Sequence, residues 1–299
     1  MKRRALVTGA TGYVGSKLCQ RLLIDDWTVD VLTREAGRQL GTTLAGSVTS
    51  HTYDGSTESV LAAVTESKPD VVFHLASLFI AEHRRDQVTD LIVSNVLYGT
   101  QLIEACVRQN VKYLINTGTS WQHCRSDAYD PVCLYAATKQ AFEDILEFYT
   151  DSFPLRAITL KLFDTYGPED TRPKLISLLL NALKTGEHLG LSPGEQKLDL
   201  VYVDDVTRSF IVAAEQLLSN VSAEKHESYA VSSHQYISVR NLVALMEDIS
   251  GKRLNVTFGD RPYRDREVMY PWKAERVLPK WKAEVDVRAG LSRLISLGE

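Results

Sequence analysis

The sequence contains few cysteines, and their spacing suits neither a disulfide framework nor a zinc site. The 299 residues include four, with no CxxC pair and no paired histidines suited to zinc: Cys19, Cys106, Cys124 and Cys133. We therefore expect reduced thiols in a cytoplasmic protein that holds no metal.

Long hydrophobic runs and an excess of one charge are absent as well. The opening stretch MKRRALVTGATG begins with basic residues but is interrupted at once by glycines and polar residues, so no signal peptide is expected. No later stretch is apolar over the length of a membrane span. The formal net charge of -4 predicts no general attraction to nucleic acid or to an anionic membrane. With 44% hydrophobic residues, the composition is that of a soluble globular protein.

Short apolar runs alternate with longer amphipathic stretches through the first half of the chain. The predicted strands are RALVTG, TVDVLT, DVVFHLA, KYLINT and RAITLKLF. The predicted helices between them are Tyr13–Ile24, Ser56–Ser67, Thr89–Gln109 and Leu134–Tyr149. This alternation predicts an α/β fold with a parallel sheet that carries helices on both faces.

The pattern changes after Phe163, where YGPEDTRPK is rich in turn-forming residues. Helices are predicted from Leu175 to Lys184, from Asp205 to Leu218 and from Val239 to Ile249, with strands at LDLVYV and SYAVSS. We divide the chain into a doubly wound, Rossmann-type dinucleotide-binding domain, residues 1–165 plus 200–235, and a smaller C-terminal α/β substrate-binding cap, residues 166–199 plus 236–299.

The motif VTGATGYVG follows the first predicted strand directly. Gly9, Gly12 and Gly15 stand where a strand must turn tightly, admit a pyrophosphate close to the backbone and let the next helix pack on the sheet. The amides at the helix N-terminus then bind the phosphate charge. The alternative is a plain strand–turn–helix, but the position at the start of a βαβ unit favours a dinucleotide site.

The end of the second strand bears on the choice between NAD and NADP. A carboxylate there suits the ribose 2′-hydroxyl of NAD, whereas an arginine suits the 2′-phosphate of NADP. This strand runs into Arg34, with Arg38 one turn later, and the first acid is Glu35. The pattern favours NADPH over NADH, and the alternative is that these arginines are solvated loop residues.

Tyr135 and Lys139 lie one helical turn apart in LYAATKQAFEDIL. Residues at this spacing share a helix face, so the pair must be neighbours if the helix forms. The core stripe of this helix can be assigned without them. Taken alone, the pair is better explained as part of an exposed polar face, because short motifs recur by chance.

Taken in order, the glycine motif, the strand ending INTGTS and the Tyr135-x-x-x-Lys139 pair change that interpretation. Together they resemble the extended branch of the short-chain dehydrogenase/reductase family. The resemblance covers nearly the whole chain. Its further segments are HLAS, NVLYGTQLIEA and two that are typical of members acting on nucleotide sugars, LKLFDTYGP and LVYVDDV.

The resemblance implies that Tyr135 is the general acid and that Lys139 holds the nicotinamide ribose and lowers the pKa of the tyrosine. Thr119 would hydrogen-bond the reacting oxygen, with Ser120 as the alternative hydroxyl. A free tyrosine titrates at about pH 10, and a nearby ammonium favours the phenolate, which agrees with these roles. The implied cofactor-binding residues are Gly9, Thr11, Gly12, Tyr13, Val14, Gly15, Arg34, Asp54, Leu75, Ala76, Asn95, Tyr135 and Lys139.

The implied substrate is a nucleotide-activated sugar bound under the cap. Its diphosphate needs cations, and DRPYRDREV supplies three arginines, of which we prefer Arg264. A solvated run of charges is the alternative. The implied substrate-binding residues are Ser120, Trp121, Gln122, Asp164 and Arg264. His74 and the pair Asp204 and Asp205 have simpler explanations, a hydrogen-bonded core histidine and helix caps.

Departures from the family pattern narrow the reaction. The usual arginine before LVYVDD is absent, with Leu198 in its place and Lys197 beside it, and Asp164 stands where many members carry asparagine. The acidic pair of the dehydratases is replaced by Ser120 and Trp121, so dehydration is not expected.

The segments NTGTSWQH and DREVMYPW most resemble the CDP-abequose and CDP-paratose synthase group. This resemblance implies an NADPH-dependent reduction of the C4 keto group of a nucleotide-activated deoxyhexose, linked to CDP or dTDP, for glycan or natural-product biosynthesis. The alternatives are a nucleotide-sugar 4-epimerase with retained NAD and a non-catalytic NADP(H)-binding regulator. The family implies a homodimer that pairs the Thr89–Gln109 and Leu134–Tyr149 helices.

Overall fold

A computed structural model describes residues 2–34, 44, 46–220, 224–274 and 276–298. Its strands are β1 Arg4–Thr8, β2 Thr28–Thr33, β3 Thr49–Thr52, β4 Val71–His74, β5 Tyr113–Thr119, β6 Arg156–Leu162, β7 Asp164–Tyr166, β8 Leu189–Leu191, β9 Lys197–Tyr202, β10 His226–Val231, β11 Tyr236–Ser238 and β12 Val256–Phe258. Its α-helices are α1 Tyr13–Ile24, α2 Thr57–Ser67, α3 Val88–Ile92, α4 Tyr98–Arg108, α5 Leu134–Ser152, α6 Leu175–Thr185, α7 Val203–Ser219, α8 Val239–Ser250 and α9 Val287–Ser296.

Seven strands form one parallel sheet in the order β3-β2-β1-β4-β5-β6-β10. Helices α1 and α7 cover one face, and α2, α4 and α5 cover the other, each through a core of buried aliphatic and aromatic side chains. This arrangement confirms the predicted doubly wound fold. The strand order reverses between β1 and β4, and dinucleotides bind at the carboxyl ends of the strands at such a point.

A smaller α/β region contains a three-stranded sheet, β11-β9-β7, and a two-stranded sheet, β12-β8. Helices α6, α8 and α9 pack on it around a third core that includes Leu179, Leu242, Met246 and Leu291. The predicted strand LDLVYV belongs to this smaller region. Helix α7 and strand β10, which both lie within the predicted segment 200–235, pack with the large sheet. The division into two domains with boundaries after residues 165, 199 and 235 stays a prediction.

Most predicted helix bounds agree with the structure to within a few residues. The helix expected to begin at Ser56 begins at Thr57, because the Ser56 hydroxyl caps it and accepts a hydrogen bond from the Ser59 backbone at 3.1 Å. The single helix predicted over Thr89–Gln109 is wrong in detail. It consists of α3, a π-helical turn at Val93–Leu97, and α4.

Asp205 is not the helix cap that the sequence predicts. Its side chain is buried and accepts hydrogen bonds from the backbone amides of Glu284 and Val285, both at 2.9 Å. It also pairs with Arg208 at 2.7 Å. Asp205 therefore anchors the segment before α9 to the large sheet's helix α7.

Candidate active site

The turn between β1 and α1 is shaped for a phosphate group. Gly9 has a φ of +75°, and a Cβ on it would lie 2.6 Å from the backbone nitrogen of Ala76. A Cβ on Gly15 would lie 2.1 Å from the Gly9 carbonyl oxygen. Helix α1 begins at Tyr13 without a side-chain cap, so the amides of its first turn are left for another acceptor. This cradle fits the diphosphate of a dinucleotide.

A cleft of about 450 Å³ extends from this turn, and we call it the cofactor cleft. Eight of the predicted cofactor-binding and catalytic residues line this cleft: Gly9, Gly12, Tyr13, Val14, Gly15, Leu75, Thr119 and Tyr135. Thr11, Arg34, Asp54, Ala76, Asn95 and Lys139 are not among its lining residues. The structure therefore brings the glycine turn and two of the three predicted catalytic residues to one cleft.

Helix α5 carries Tyr135 and Lys139, and neither lies on an exposed polar face. Tyr135 is 8% exposed and Lys139 is 2% exposed. Burial raises the pKa of Tyr135 to about 12, against the lowering effects of a hydrogen bond with Ser77 and of the Arg172 guanidinium. Phe79 packs edge-on against the tyrosine ring with the centroids 4.9 Å apart. The Tyr135 hydroxyl is therefore protonated at neutral pH.

The predicted effect of Lys139 on the tyrosine is not seen in this structure. Burial outweighs the nearby charges and raises the pKa of Tyr135, whereas the sequence reasoning expected the ammonium to lower it. Burial also lowers the pKa of Lys139 to about 8, and the carboxylate of Glu143, one turn later on α5, opposes that shift. His74 is buried and hydrogen-bonded to the Thr8 hydroxyl at 2.8 Å, which confirms its interpretation as a core histidine.

Thr119 is the last residue of β5 and faces the cofactor cleft with Tyr135. Its backbone amide donates to Oε1 of Gln122 at 3.0 Å, and its hydroxyl accepts from the backbone amide of Trp121 at 3.3 Å. Both bonds hold the turn that follows the strand. The alternative hydroxyl, Ser120, lies on the same turn and also faces the cleft.

Gln122 does not contact the clefts, which corrects its predicted role in binding substrate. The side chain is 0% exposed, and its Nε2 donates to Glu143 at 2.8 Å and to Gln140 at 2.7 Å. Glu143 in turn pairs with Lys161 at 3.5 Å. Gln122 therefore positions the Thr119 turn against α5 from behind.

Asn95 likewise has a structural place in this fold. It is 1% exposed, its Oδ1 accepts from the Leu78 backbone amide at 2.7 Å, and its Nδ2 donates to the Leu78 carbonyl at 3.0 Å and to Thr138 at 2.9 Å. These bonds brace the segment after β4 against α5, and Asn95 does not line the cofactor cleft.

The predicted adenine-end residues lie at the surface. Asp54 is exposed and accepts hydrogen bonds from the backbone amide and hydroxyl of Ser56, which hold the pKa of its carboxyl below the usual range. Arg34 is exposed and directly follows β2. Arg38 and Glu35 lie outside the described residues.

A second cleft, of about 700 Å³, lies between the large sheet and the smaller region, and we call it the substrate cleft. Both clefts are lined by Phe79, Ser120, Trp121, Phe163, Asp164, Pro173 and Lys174. Its cationic lining residues are Lys174, Lys197, Arg261 and Arg264. The sequence analysis missed Lys174, because nothing in the turn-rich segment YGPEDTRPK indicates which side chains reach a cleft.

Arg264 lies in the substrate cleft as predicted, and Arg266 does not. The Arg264 guanidinium pairs with Glu267 at 3.2 Å and lies 5.1 Å from the centre of the Trp121 ring. Arg266 instead pairs with Asp130 in the loop before α5. No cluster of metal-ligating side chains occurs among the described residues. Over the same residues, no helix has the length and apolar character needed to cross a membrane.

The fold and the glycine cradle define a dinucleotide-dependent enzyme of the short-chain dehydrogenase/reductase type. More particularly, residues 5–229 match the NAD dependent epimerase/dehydratase family, and the chain belongs to that family. The implied nicotinamide cofactor fits the residues present, since the close backbone approaches at Gly9 and Gly15 shape the turn and the first amides of α1 have no side-chain cap.

Similar proteins include both synthases and epimerases. The CDP-abequose synthase of Yersinia pseudotuberculosis is 27% identical over 269 residues, which cover 90% of this chain and 91% of that protein. The UDP-glucose 4-epimerase of Mycolicibacterium smegmatis is 29% identical over 230 residues, or 70% and 72% of the two chains. Among solved structures, MoeE5 in complex with UDP-glucuronic acid and NAD superposes with a TM-score of 0.85 at 25% identity, covering 98% of each chain.

Proposed function

We propose that the protein is an NADPH-dependent nucleotide-sugar 4-ketoreductase, which reduces the C4 keto group of a nucleotide-activated deoxyhexose. One observation carries this proposal. The two clefts share a wall at Ser120, Trp121 and Asp164, and Thr119 and Tyr135 face the cofactor cleft beside that wall. A sugar in the substrate cleft would therefore meet a proton donor where the two clefts join.

The buried tyrosine suits the reductive direction. When bound in the cofactor cleft, NADPH would supply the hydride that reduces the carbonyl carbon. Because burial raises its pKa to about 12, Tyr135 holds its proton at neutral pH and can donate it to the alkoxide oxygen. In this proposal the Thr119 hydroxyl would hydrogen-bond the same oxygen. The Lys139 ammonium, one turn after Tyr135 on α5, would hold the nicotinamide ribose.

The preference for NADPH rests on Arg34. Its exposed position at the carboxyl end of β2 is where a guanidinium meets a ribose 2′-phosphate in this fold class. A reductase draws on the reduced cofactor pool and must exchange cofactor in every turnover, which agrees with such a site.

The nucleotide-sugar substrate is supported by charge and by relatives. Lys197, Arg261 and Arg264 line the substrate cleft and supply the cations that a diphosphate needs. Lys197 stands beside the place of the arginine that Leu198 replaces. The similarity to CDP-abequose synthase over 90% of the chain favours a sugar attached to a nucleoside diphosphate.

A nucleotide-sugar 4-epimerase is the second candidate. The similarity to a UDP-glucose 4-epimerase and to MoeE5 with bound NAD favours it. An epimerase must remove a hydride from C4 and return it, so its cofactor is regenerated in each cycle and stays bound.

The two candidates differ in cofactor use. Purified protein mixed with NADPH and a panel of nucleotide-linked 4-keto-6-deoxyhexoses should consume one NADPH per sugar reduced. The consumption is measured as the loss of nicotinamide absorbance. Nucleotide hexoses that already carry a 4-hydroxyl should not interconvert without added cofactor. Purification with stoichiometric NAD, together with unaided interconversion of two such hexoses, would reject the reductase.

We further propose a homodimer through the face formed by α3, α4 and α5. Several large apolar side chains on α3, on α5 and on the turn between α3 and α4 are at least 38% exposed: Val88, Ile92, Val93, Leu97 and Phe148. An apolar face of this kind on the surface of one chain favours burial against a second copy.

A further inference from the structure

The loop between β7 and α6 brings an arginine to the cofactor cleft that the sequence analysis did not consider. Arg172 lines the cleft together with Gly12 and Tyr13 at the start of α1. Its guanidinium carbon lies 4.6 Å from the centre of the Tyr13 ring, at stacking distance.

The Arg172 guanidinium is held in one orientation. Its Nε and Nη2 donate to the two carboxylate oxygens of Asp170 at 2.7 and 2.8 Å, and Nη2 also donates to the Thr165 carbonyl at 3.0 Å. The Asp170 side chain is only 7% exposed, so its carboxylate is shielded from water, whereas the Arg172 side chain is 33% exposed. Within the described part of the chain, the guanidinium makes its hydrogen bonds through Nε and Nη2, which leaves the donors of Nη1 for a ligand.

The loop itself is fastened to α1. Lys17 on α1 pairs with Glu169 at 2.6 Å. Gly167 approaches the Tyr13 side chain so closely that a Cβ on it would lie 2.7 Å from the tyrosine hydroxyl oxygen. Two separate contacts therefore hold Arg172 beside the helix end that receives the phosphate.

We propose that Arg172 is a ligand of the cofactor's diphosphate and completes the site formed by the amides of α1. A diphosphate carries two negative charges, whereas a helix N-terminus supplies only about half a positive charge. The charged residues that line the cofactor cleft are Arg172, Lys174 and Asp164. Of the two cations, Arg172 is the one that contacts Tyr13, and a guanidinium forms shorter and stronger hydrogen bonds to phosphate than a neutral donor does.

This assignment holds for either candidate reaction, because both require a bound dinucleotide. It also differs from the role of Arg34. The diphosphate is common to NADH and NADPH, whereas the 2′-phosphate belongs to NADPH alone. Arg172 should therefore affect both cofactors equally, and Arg34 should affect their ratio.

The test measures binding without sugar or turnover. Dissociation constants for NADPH, NADH and ADP-ribose are measured by titration calorimetry for the wild type and for Arg172→Met. We expect all three to rise by about tenfold to a hundredfold, the usual effect of losing a charge-assisted hydrogen bond. ADP-ribose contains the diphosphate but no nicotinamide, so its loss of affinity locates the contact.

Control variants distinguish an Arg172 that binds the diphosphate from an Arg172 that only stabilises the loop. Arg172→Met leaves Asp170 buried without its partner, so the double variant with Asp170→Asn removes that charge and should show the same loss. Asp170→Asn alone keeps the guanidinium and should retain most affinity. Lys17→Met removes the ion pair with Glu169 but leaves the contact between Gly167 and Tyr13, so it should bind all three ligands like the wild type. Arg21→Met breaks an exposed ion pair on α1 and should also bind them like the wild type.

Three results would overturn the proposal: unchanged affinities in the folded double variant, a loss confined to NADPH, or an equal loss in Lys17→Met. Thermal melts of every variant establish that each is folded at the titration temperature. If Arg172→Met does not fold, the double variant with Asp170→Asn and the variant Arg172→Lys test the proposal instead. The lysine variant is expected to retain only part of the affinity for the three ligands.

Discussion

Replacing Lys139 with Met should stabilise the protein while weakening cofactor binding and turnover. Lys139 is 2% exposed, and burial lowers its pKa from 10.5 to about 8. Since one pKa unit corresponds to about 1.4 kcal/mol, the charged lysine costs the folded state about 3 kcal/mol at neutral pH. Methionine keeps much of the aliphatic stem and removes that charge. Some of the gain is offset by lost packing and by the lost attraction to Glu143.

We expect the free energy of unfolding to rise by about 1–3 kcal/mol at neutral pH, or about 2–6 °C in melting temperature. The effect has a defined pH dependence. Because the folded-state pKa lies below the unfolded one, the unfolded chain binds more protons between about pH 8 and 10.5, and the wild type gains stability as the pH rises through that window. The advantage of the variant is therefore full below about pH 8 and disappears near pH 10.5.

Urea unfolding of both proteins, followed by circular dichroism at neutral pH and at steps up to about pH 10, measures this difference. Lys161→Met is the matched control. Lys161 is also buried, at 8% exposure, but it pairs with Glu143 and contacts His123 at 3.0 Å. Its loss removes the cation that forms the ion pair with the buried Glu143, so that variant should be destabilised throughout. The reasoning is wrong if Lys139→Met is less stable than the wild type at neutral pH, or if the difference between them does not change with pH.

Four further predictions concern cofactor choice, catalysis, the catalytic turn and assembly. Arg34→Ala should lower the preference for NADPH over NADH by about tenfold to a hundredfold in fluorescence titrations, and an unchanged ratio would exclude contact with the 2′-phosphate. Tyr135→Phe should bind NADPH like the wild type but lose turnover of a nucleotide-linked 4-keto sugar, whereas near-normal turnover would require another acid. Gln122→Ala should lower the free energy of unfolding by about 1–3 kcal/mol for each buried group that it leaves unpaired, and it should also reduce kcat. A normal free energy of unfolding with a normal kcat would show that the Thr119 turn does not depend on the Gln122 side chain. Phe148→Asp should elute as a monomer in size-exclusion chromatography with light scattering, and a dimer of unchanged affinity would place the interface elsewhere.

Relations within one element follow from local spacing, and these were predictable. Helix α1 was predicted with its observed bounds, Tyr13–Ile24, because apolar residues recur at the helical period and a glycine turn precedes it. The neighbourhood of Tyr135 and Lys139 follows from the four-residue separation alone. The glycine turn was predictable too, because only glycine tolerates the positive φ at Gly9 and the close backbone approach at Gly15.

Burial and long-range partners depend on which distant segments pack together, and no local pattern contains that information. The short strand β3, Thr49–Thr52, has no apolar alternation and forms only because β2 offers it an edge. Gln122 lies three residues after Thr119 and was expected in the cleft, but its side chain is buried, where it donates a hydrogen bond to Glu143, 21 residues later. Arg172 lies in a segment whose sequence predicts only a turn. Its side chain reaches the cofactor cleft because Asp170 orients it and Tyr13 packs against it. The amino-acid sequence by itself thus determined the order of the main elements and the neighbourhood of Tyr135 and Lys139. The tertiary structure decided which polar side chains face the clefts and which support them from within, because those partners meet only when the chain folds.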